Sequence, residues 1–123
     1  MNNILKILII NLLLWAFVAI ARSESIEPNK WKITAYCSCV KCCNKSDGIT
    51  ASGKPAKAGY VACNWLPFGT KLSIVDSNYI VMDRGAKSLF GSKTNKIKHI
   101  DIWMASHKAA LQYGVKWQKV EIK

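Results

Sequence analysis

Six short β-forming runs, each closed by a turn signal, constrain this chain more than any other feature of its sequence. Trp31-Lys32-Ile33-Thr34-Ala35-Tyr36 alternates with period two, so Trp31, Ile33 and Ala35 share one face and Lys32, Thr34 and Tyr36 the other. Tyr60 to Cys63 and Lys71 to Val75 follow, separated by a turn that Pro67 and Gly69 force. Asp76-Ser77-Asn78 then closes a hairpin onto a strand ending in Ile80-Val81-Met82-Asp83. His99 to Trp103 is the next run. Val115 to Ile122 is the last, and its apolar residues change phase in a way that predicts a bulge at Gln118-Lys119. Ser106 reads as the N-cap of a single short helix, His107 to Tyr113, which Gly114 stops. Closing such short strands into a small barrel removes their exposed edges, so the expected class is mainly β, a six-stranded barrel with one short helix.

The 50% hydrophobic content overstates the core, because much of it lies at the N-terminus. A weakly positive start is followed by 15 residues, Ile7 to Ala21, that are apolar except for Asn11, and Ala19-Ile20-Ala21 matches an A-x-A cleavage pattern. The expected organisation is a signal peptide over 1–21, a flexible polar segment over 22–30 and one barrel domain over 31–123. Cleavage leaves 102 residues with 17 basic against 7 acidic ones, a net charge of about +10. The lysines are scattered singly, which favours a diffuse positive field over a nucleic-acid-reading patch. An exported chain with such a field is expected to meet anionic wall polymers in the periplasm, at the outer membrane or cell wall, or outside the cell. It is expected to act as a monomer, with no nucleic acid and no stable membrane insertion after cleavage.

Four of the five cysteines, Cys37, Cys39, Cys42 and Cys43, are crowded into one loop, and the fifth is Cys63. In a cytosolic protein this density would suggest zinc or an iron–sulfur centre. Ligand pairs are normally spread over two elements, however, and export favours disulfides. The expectation is at least one bridge tying the 37–43 loop to itself or to Cys63, with no metal. A redox role for Cys39-Val40-Lys41-Cys42 is disfavoured because no helical pattern follows it.

Two aspartates stand out within the β runs. Alternation places Ile80 and Met82 on one face and Asp83 on the other, and Ile100 and Ile102 in the core with His99, Asp101 and Trp103 on an accessible face. An acid beside an indole suits a sugar site, since the ring covers the apolar side of a pyranose and burial against it can hold a carboxyl protonated. The Asp47 to Pro55 loop adds Thr50 and Ser52 as hydrogen-bonding groups. The long loop from Ala86 to Ile97 brings Lys87, Lys93 and Lys96 near the same place.

The runs Ile33-Thr34-Ala35-Tyr36-Cys37, Asp47-Gly48-Ile49-Thr50-Ala51-Ser52-Gly53, Val61-Ala62-Cys63-Asn64, Leu66-Pro67-Phe68-Gly69-Thr70, Asp83-Arg84-Gly85 and Ile100-Asp101-Ile102-Trp103, in this order, closely resemble the three-aspartate (3D) domain. That family is a double-psi β-barrel related to the catalytic domain of membrane-bound lytic transglycosylase A and to the barwin, expansin and rare-lipoprotein-A barrels. The resemblance implies peptidoglycan as the target, Asp101 as catalytic acid and Asp83 as the second aspartate. The substrate contacts expected around them are Tyr36, Thr50, Asn64, His99 and Trp103. Asn64 stands where the family usually has its first aspartate, and the loop from Asp83 to Asp101 is longer than usual. The implied reaction uses one acid/base and no cofactor. The alternative is a glycan-binding or wall-loosening module that binds without cutting.

Overall fold

A computed structural model places residues 29–123, and Asn3 before them. The expected signal peptide, apart from Asn3, and 22–28 of the expected flexible segment lie outside the described residues. The elements in chain order are β1 (Lys30–Tyr36), α1 (Val40–Cys43), β2 (Tyr60–Ala62), β3 (Lys71–Ile74), β4 (Ser77–Asp83), α2 (Lys87–Phe90), β5 (His99–Trp103), α3 (His107–Tyr113) and β6 (Lys116–Ile122). The strands close into a barrel in the order β1-β5-β2-β4-β3-β6, so each has a neighbour on both sides. β1 runs parallel to β5 and β2 parallel to β4, and the other pairings are antiparallel.

Period-two alternation fills the interior. Trp31 and Ile33 of β1 meet Val61 and Cys63 near β2, Leu72 and Ile74 of β3, Val81 of β4, and Ile100 and Ile102 of β5. Leu66 adds to this core from the turn after β2, and Trp65 stacks on Trp31 with ring centroids 5.3 Å apart. Each fully buried aliphatic side chain of this set contributes on the order of 2 kcal/mol of transfer free energy. The helix expected over His107–Tyr113 forms with those bounds, and the Ser106 hydroxyl accepts from the Ala109 N–H at 3.1 Å. Two further helices, α1 and α2, have only four residues each, too short for a periodic apolar stripe to betray them.

Three expectations need correction. In β4 it is Val81, fully buried, that enters the core, while Ile80 is only half-buried. The cause is a register shift: Val61 pairs with Val81 but Ala62 pairs with Asp83, so Met82 is an extra residue on β4. The β3–β4 hairpin turns one residue earlier than expected, on Val75 and Asp76, both at positive φ (46° and 62°).

The third correction concerns β6, which carries no register shift. It pairs with β1 from Lys116 to Lys119 and with β3 from Val120 to Ile122. Gln118 lies opposite inward-facing Trp31, and Trp117 lies opposite Lys32, so Trp117 points outward and is 55% exposed. The apparent phase change therefore marks an apolar residue on the outer face rather than a bulge. Replacing Trp117 by Thr is expected to change unfolding free energy by less than about 0.5 kcal/mol. Leu72→Ala is expected to cost about 2–5 kcal/mol. Urea denaturation of both variants checks the assignment, and a large loss in Trp117→Thr would contradict it.

Candidate functional site

Directly paired residues on adjacent strands point to the same side of a sheet, and here the pairing writes out a row. Thr34 of β1 pairs with Asp101 of β5, Asp101 with Ala62 of β2, and Ala62 with Asp83 of β4. Val61 and Cys63, either side of Ala62, face the core, so the row lies on the outer side of the barrel wall. Without the extra Met82, Asp83 would share the parity of Val81 and point inward. The bulge turns its carboxylate onto the face of Asp101. Ala62, almost fully buried, is the one small residue between the two aspartates. With strands about 4.8 Å apart, the two aspartate backbones lie roughly 10 Å from one another. The next row pairs Tyr36 with Trp103.

Asp101 is half-buried, and burial pushes its carboxyl up to about 6 from an ordinary 3.8. The negative charge of Asp83 adds to the rise, and a hydrogen bond with the Thr34 hydroxyl, 3.0 Å from Oδ1, opposes it. Thr34 Oγ1 is also 2.8 Å from His99 Nε2, and His99 Nδ1 is 3.1 Å from the Leu89 carbonyl. A carbonyl only accepts, so Nδ1 carries the proton. Burial lowers the basicity of this imidazole and the charge of Lys32 lowers it further, against the opposing pull of the Leu89 bond. A neutral His99 then accepts at Nε2. Thr34 has one hydroxyl proton for two neighbours. When it donates to ionised Asp101 it leaves Nε2 unserved. When Asp101 is protonated the bond reverses, Asp101 donates to Oγ1, Oγ1 donates to Nε2, and all three bonds are made.

His99 was expected on an accessible face and is instead buried, 4% exposed. The long loop after β4 explains this: α2 lays Phe90 flat on the imidazole, with ring centroids 3.9 Å apart. Gly85 makes room, since a Cβ there would stand 2.3 Å from the Phe90 ring. His99 thus acts behind Thr34 and not on a ligand.

Asp83 is tied down from three sides. It accepts from the Tyr36 hydroxyl at 2.6 Å, the Ala51 N–H at 2.8 Å and the Arg84 N–H at 2.9 Å. Burial, and then this bond, raise the Tyr36 phenol well above its usual range. The Ala51 contact draws the Thr50–Ser52 loop onto the site. Thr50 itself is buried, its hydroxyl bonded to Ser52 Oγ at 2.7 Å and the Lys54 carbonyl at 2.8 Å, so it shapes the loop.

Asn64 has an equally specific duty. Its amide donates to the carbonyls of Gly85 (3.0 Å) and Gly91 (2.8 Å), and its oxygen accepts from the Gly85 N–H (2.8 Å). It clamps the segment that carries α2. A carboxylate could not make the two donations, which gives a physical reason for Asn at this position. Beside it Arg84, Lys87 and Lys93 line a hollow of about 400 Å³. A larger one, about 530 Å³, lies away from the aspartates, between Lys57, Tyr60, Lys71 and Tyr79.

The expected disulfides are not formed: all five cysteines are free. Cys63 is buried in the core, out of the cluster, and the Cys43 thiol is turned to the Cys37 carbonyl, 3.2 Å away. The sulfurs of Cys37, Cys39 and Cys42 converge on the His107 imidazole instead of pairing with one another. Between two of these cysteines, Ser38 accepts a hydrogen bond from the Trp103 indole at 2.8 Å, which fixes that ring beside Asp101. Thr34 and His107 lie outside the site residues expected from the sequence. Thr34 shares a β1 face with Tyr36, a usable signal, whereas nothing local in the sequence links His107 to cysteines 65 or more residues away.

No known protein-family profile matches this chain, and no curated protein matches it.

Two outcomes follow. Asn64→Asp should lower unfolding free energy by about 1–3 kcal/mol, since two carbonyls lose their donors, and chemical denaturation checks this. For Asp101 the raised value means that its stabilising effect is full below pH 3.8 and lost as pH rises through about 6. Asp101→Asn should therefore be more stable than the parent at pH 7.5, on the order of 2 kcal/mol, with the gap closing toward pH 4. Thermal unfolding across that range measures it, and a constant difference would contradict the assignment.

Proposed function

We propose that this protein is an exported enzyme of the lytic transglycosylase type that cleaves peptidoglycan glycan strands, and that its barrel is the double-psi barrel of the three-aspartate kind. The closed six-stranded topology with two parallel pairings is consistent with that barrel. The observation that carries the reading is Asp101 itself: a half-buried carboxyl pushed up to about 6, on an outer barrel face, one small residue away from Asp83 and flanked by a fixed indole.

Such a carboxyl can serve as acid and then base. Protonated Asp101 donates to the glycosidic oxygen between N-acetylmuramic acid and N-acetylglucosamine as the bond from C1 to that oxygen breaks. The resulting carboxylate takes the proton of the C6 hydroxyl while O6 bonds to C1, closing a 1,6-anhydro ring and restoring the acid. Protons balance over the cycle, and no second carboxylate nucleophile is required. Asp83 raises the affinity of Asp101 for its proton and holds Tyr36 and the Ala51 loop. Trp103 covers the apolar face of a sugar. The net charge of about +10 left after cleavage draws anionic wall polymers toward the barrel.

Purified sacculi and mass spectrometry of released muropeptides test this. The parent protein should release 1,6-anhydro products, with activity falling as pH rises through about 6. Asp101→Asn should bind sacculi and release nothing. Asp83→Asn should retain part of the activity, with its alkaline limit moved to lower pH. Binding without release by the parent protein would reject the enzyme and leave a glycan-binding module.

A further inference from the structure

Residues 37–59, the whole connection from β1 to β2, contain only the four-residue α1 and one isolated bridge, Ile49 with Pro55. A connection this long and irregular costs chain entropy, and only Cys37 and Thr50 of it are buried. At its start, four metal-ligating side chains meet. The thiols of Cys37, Cys39 and Cys42 and Nδ1 of His107 all lie within 4.8 Å of one another. His107 Nδ1 is 3.7 Å from Cys37 Sγ and 3.4 Å from each of the other two sulfurs, while Cys37 Sγ is 3.0 Å from Cys39 Sγ and 3.3 Å from Cys42 Sγ.

We propose that Cys37, Cys39, Cys42 and His107 form a closed, structural zinc(II) site. Four donor atoms aimed at one point are weakly rewarded as neutral thiol contacts and strongly rewarded around a soft divalent cation. With Zn–S about 2.3 Å and Zn–N about 2.05 Å, a tetrahedron separates sulfurs by about 3.8 Å and sulfur from nitrogen by about 3.6 Å. The nitrogen already sits within a few tenths of an ångström of that spacing, and the Cys37 sulfur reaches it from those of Cys39 and Cys42 by opening less than about 1 Å. Three thiolates and one imidazole complete four-coordination, leaving no position for water, as in structural rather than catalytic sites. The three thiol protons are released on binding.

The chain is built for this closure. The N–H groups of Cys42 and Cys43 donate to the Cys39 carbonyl at 3.1 and 3.0 Å, folding α1 so that Cys42 returns over Cys39. His107 opens α3, capped by Ser106, so the metal would join the N-terminus of α3 to the loop leaving β1. Cys43 and Cys63 are excluded by their placement, which explains an odd cysteine count without a bridge. Ser38, between two ligands, holds Trp103, so the metal would also brace one wall of the aspartate face. This site replaces the expectation of disulfides without metal and does not depend on the proposed reaction.

The test starts from the full chain purified without chelator in reductant, with zinc measured by inductively coupled plasma mass spectrometry. One zinc per chain is expected, kept in Cys43→Ser and reduced at least about tenfold in Cys39→Ser and His107→Ala. Should the ligand variants fail to fold, three measurements on the parent protein decide. Cobalt(II) exchanged for zinc should show the visible absorption and sulfur-to-metal charge transfer of a tetrahedral thiolate site. Zinc should also protect Cys37, Cys39 and Cys42 from alkylation, and chelation should lower the unfolding temperature. The proposal is overturned if the reduced parent takes up no zinc or cobalt, if Cys43→Ser loses metal as fully as Cys39→Ser, or if the native protein carries Cys37 bridged to Cys39 or Cys42.

Discussion

One extra residue in β4 decides what this barrel can do. Period-two alternation that places Val81 in the core would carry Asp83 inward with it, where an unpaired carboxylate costs several kcal/mol. The bulge at Met82 reverses the phase, and Asp83 joins Asp101 on the far side of the wall with Ala62 between them. Everything else at the site attaches to that row: Thr34 beside Asp101, Tyr36 and the Ala51 N–H on Asp83, and the His99 relay behind Thr34.

The environment of Asp101 is built from two directions. From below, β1 and β5 in parallel register bring Thr34 opposite it and stack His99 one row back. From above, the long loop after β4 folds α2 over the imidazole, with Gly85 allowing the Phe90 ring to lie flat and Asn64 fastening both ends of the segment. A carboxyl that gains a proton through burial destabilises the folded chain at neutral pH, and the clamps around it offset that cost. The loop leaving β1 carries a comparable duty on the other flank, where Ser38 and the cysteines set the position of Trp103.

Much of the barrel was legible because it rests on local patterns. The alternation of Trp31 and Ile33, and of Ile100 and Ile102, and the capping of His107–Tyr113 need only nearest neighbours, and the structure bears them out. What was not legible depends on partners distant in sequence. The bulge in β4 is set by how Val61 and Ala62 pair, the outward Trp117 by its place opposite Lys32, and the burial of His99 by Phe90 arriving from another loop. The cysteine cluster is illegible for the same reason: its fourth member, His107, lies on α3, and only the fold brings it there.

Titration of the Asp101 side-chain carboxyl by carbon-detected nuclear magnetic resonance tests the central claim most directly. Burial beside Thr34, with Asp83 across Ala62, gives an apparent value near 6 that falls when Asp83 is replaced by Asn. A value near the ordinary 3.8, indifferent to Asp83, would contradict it.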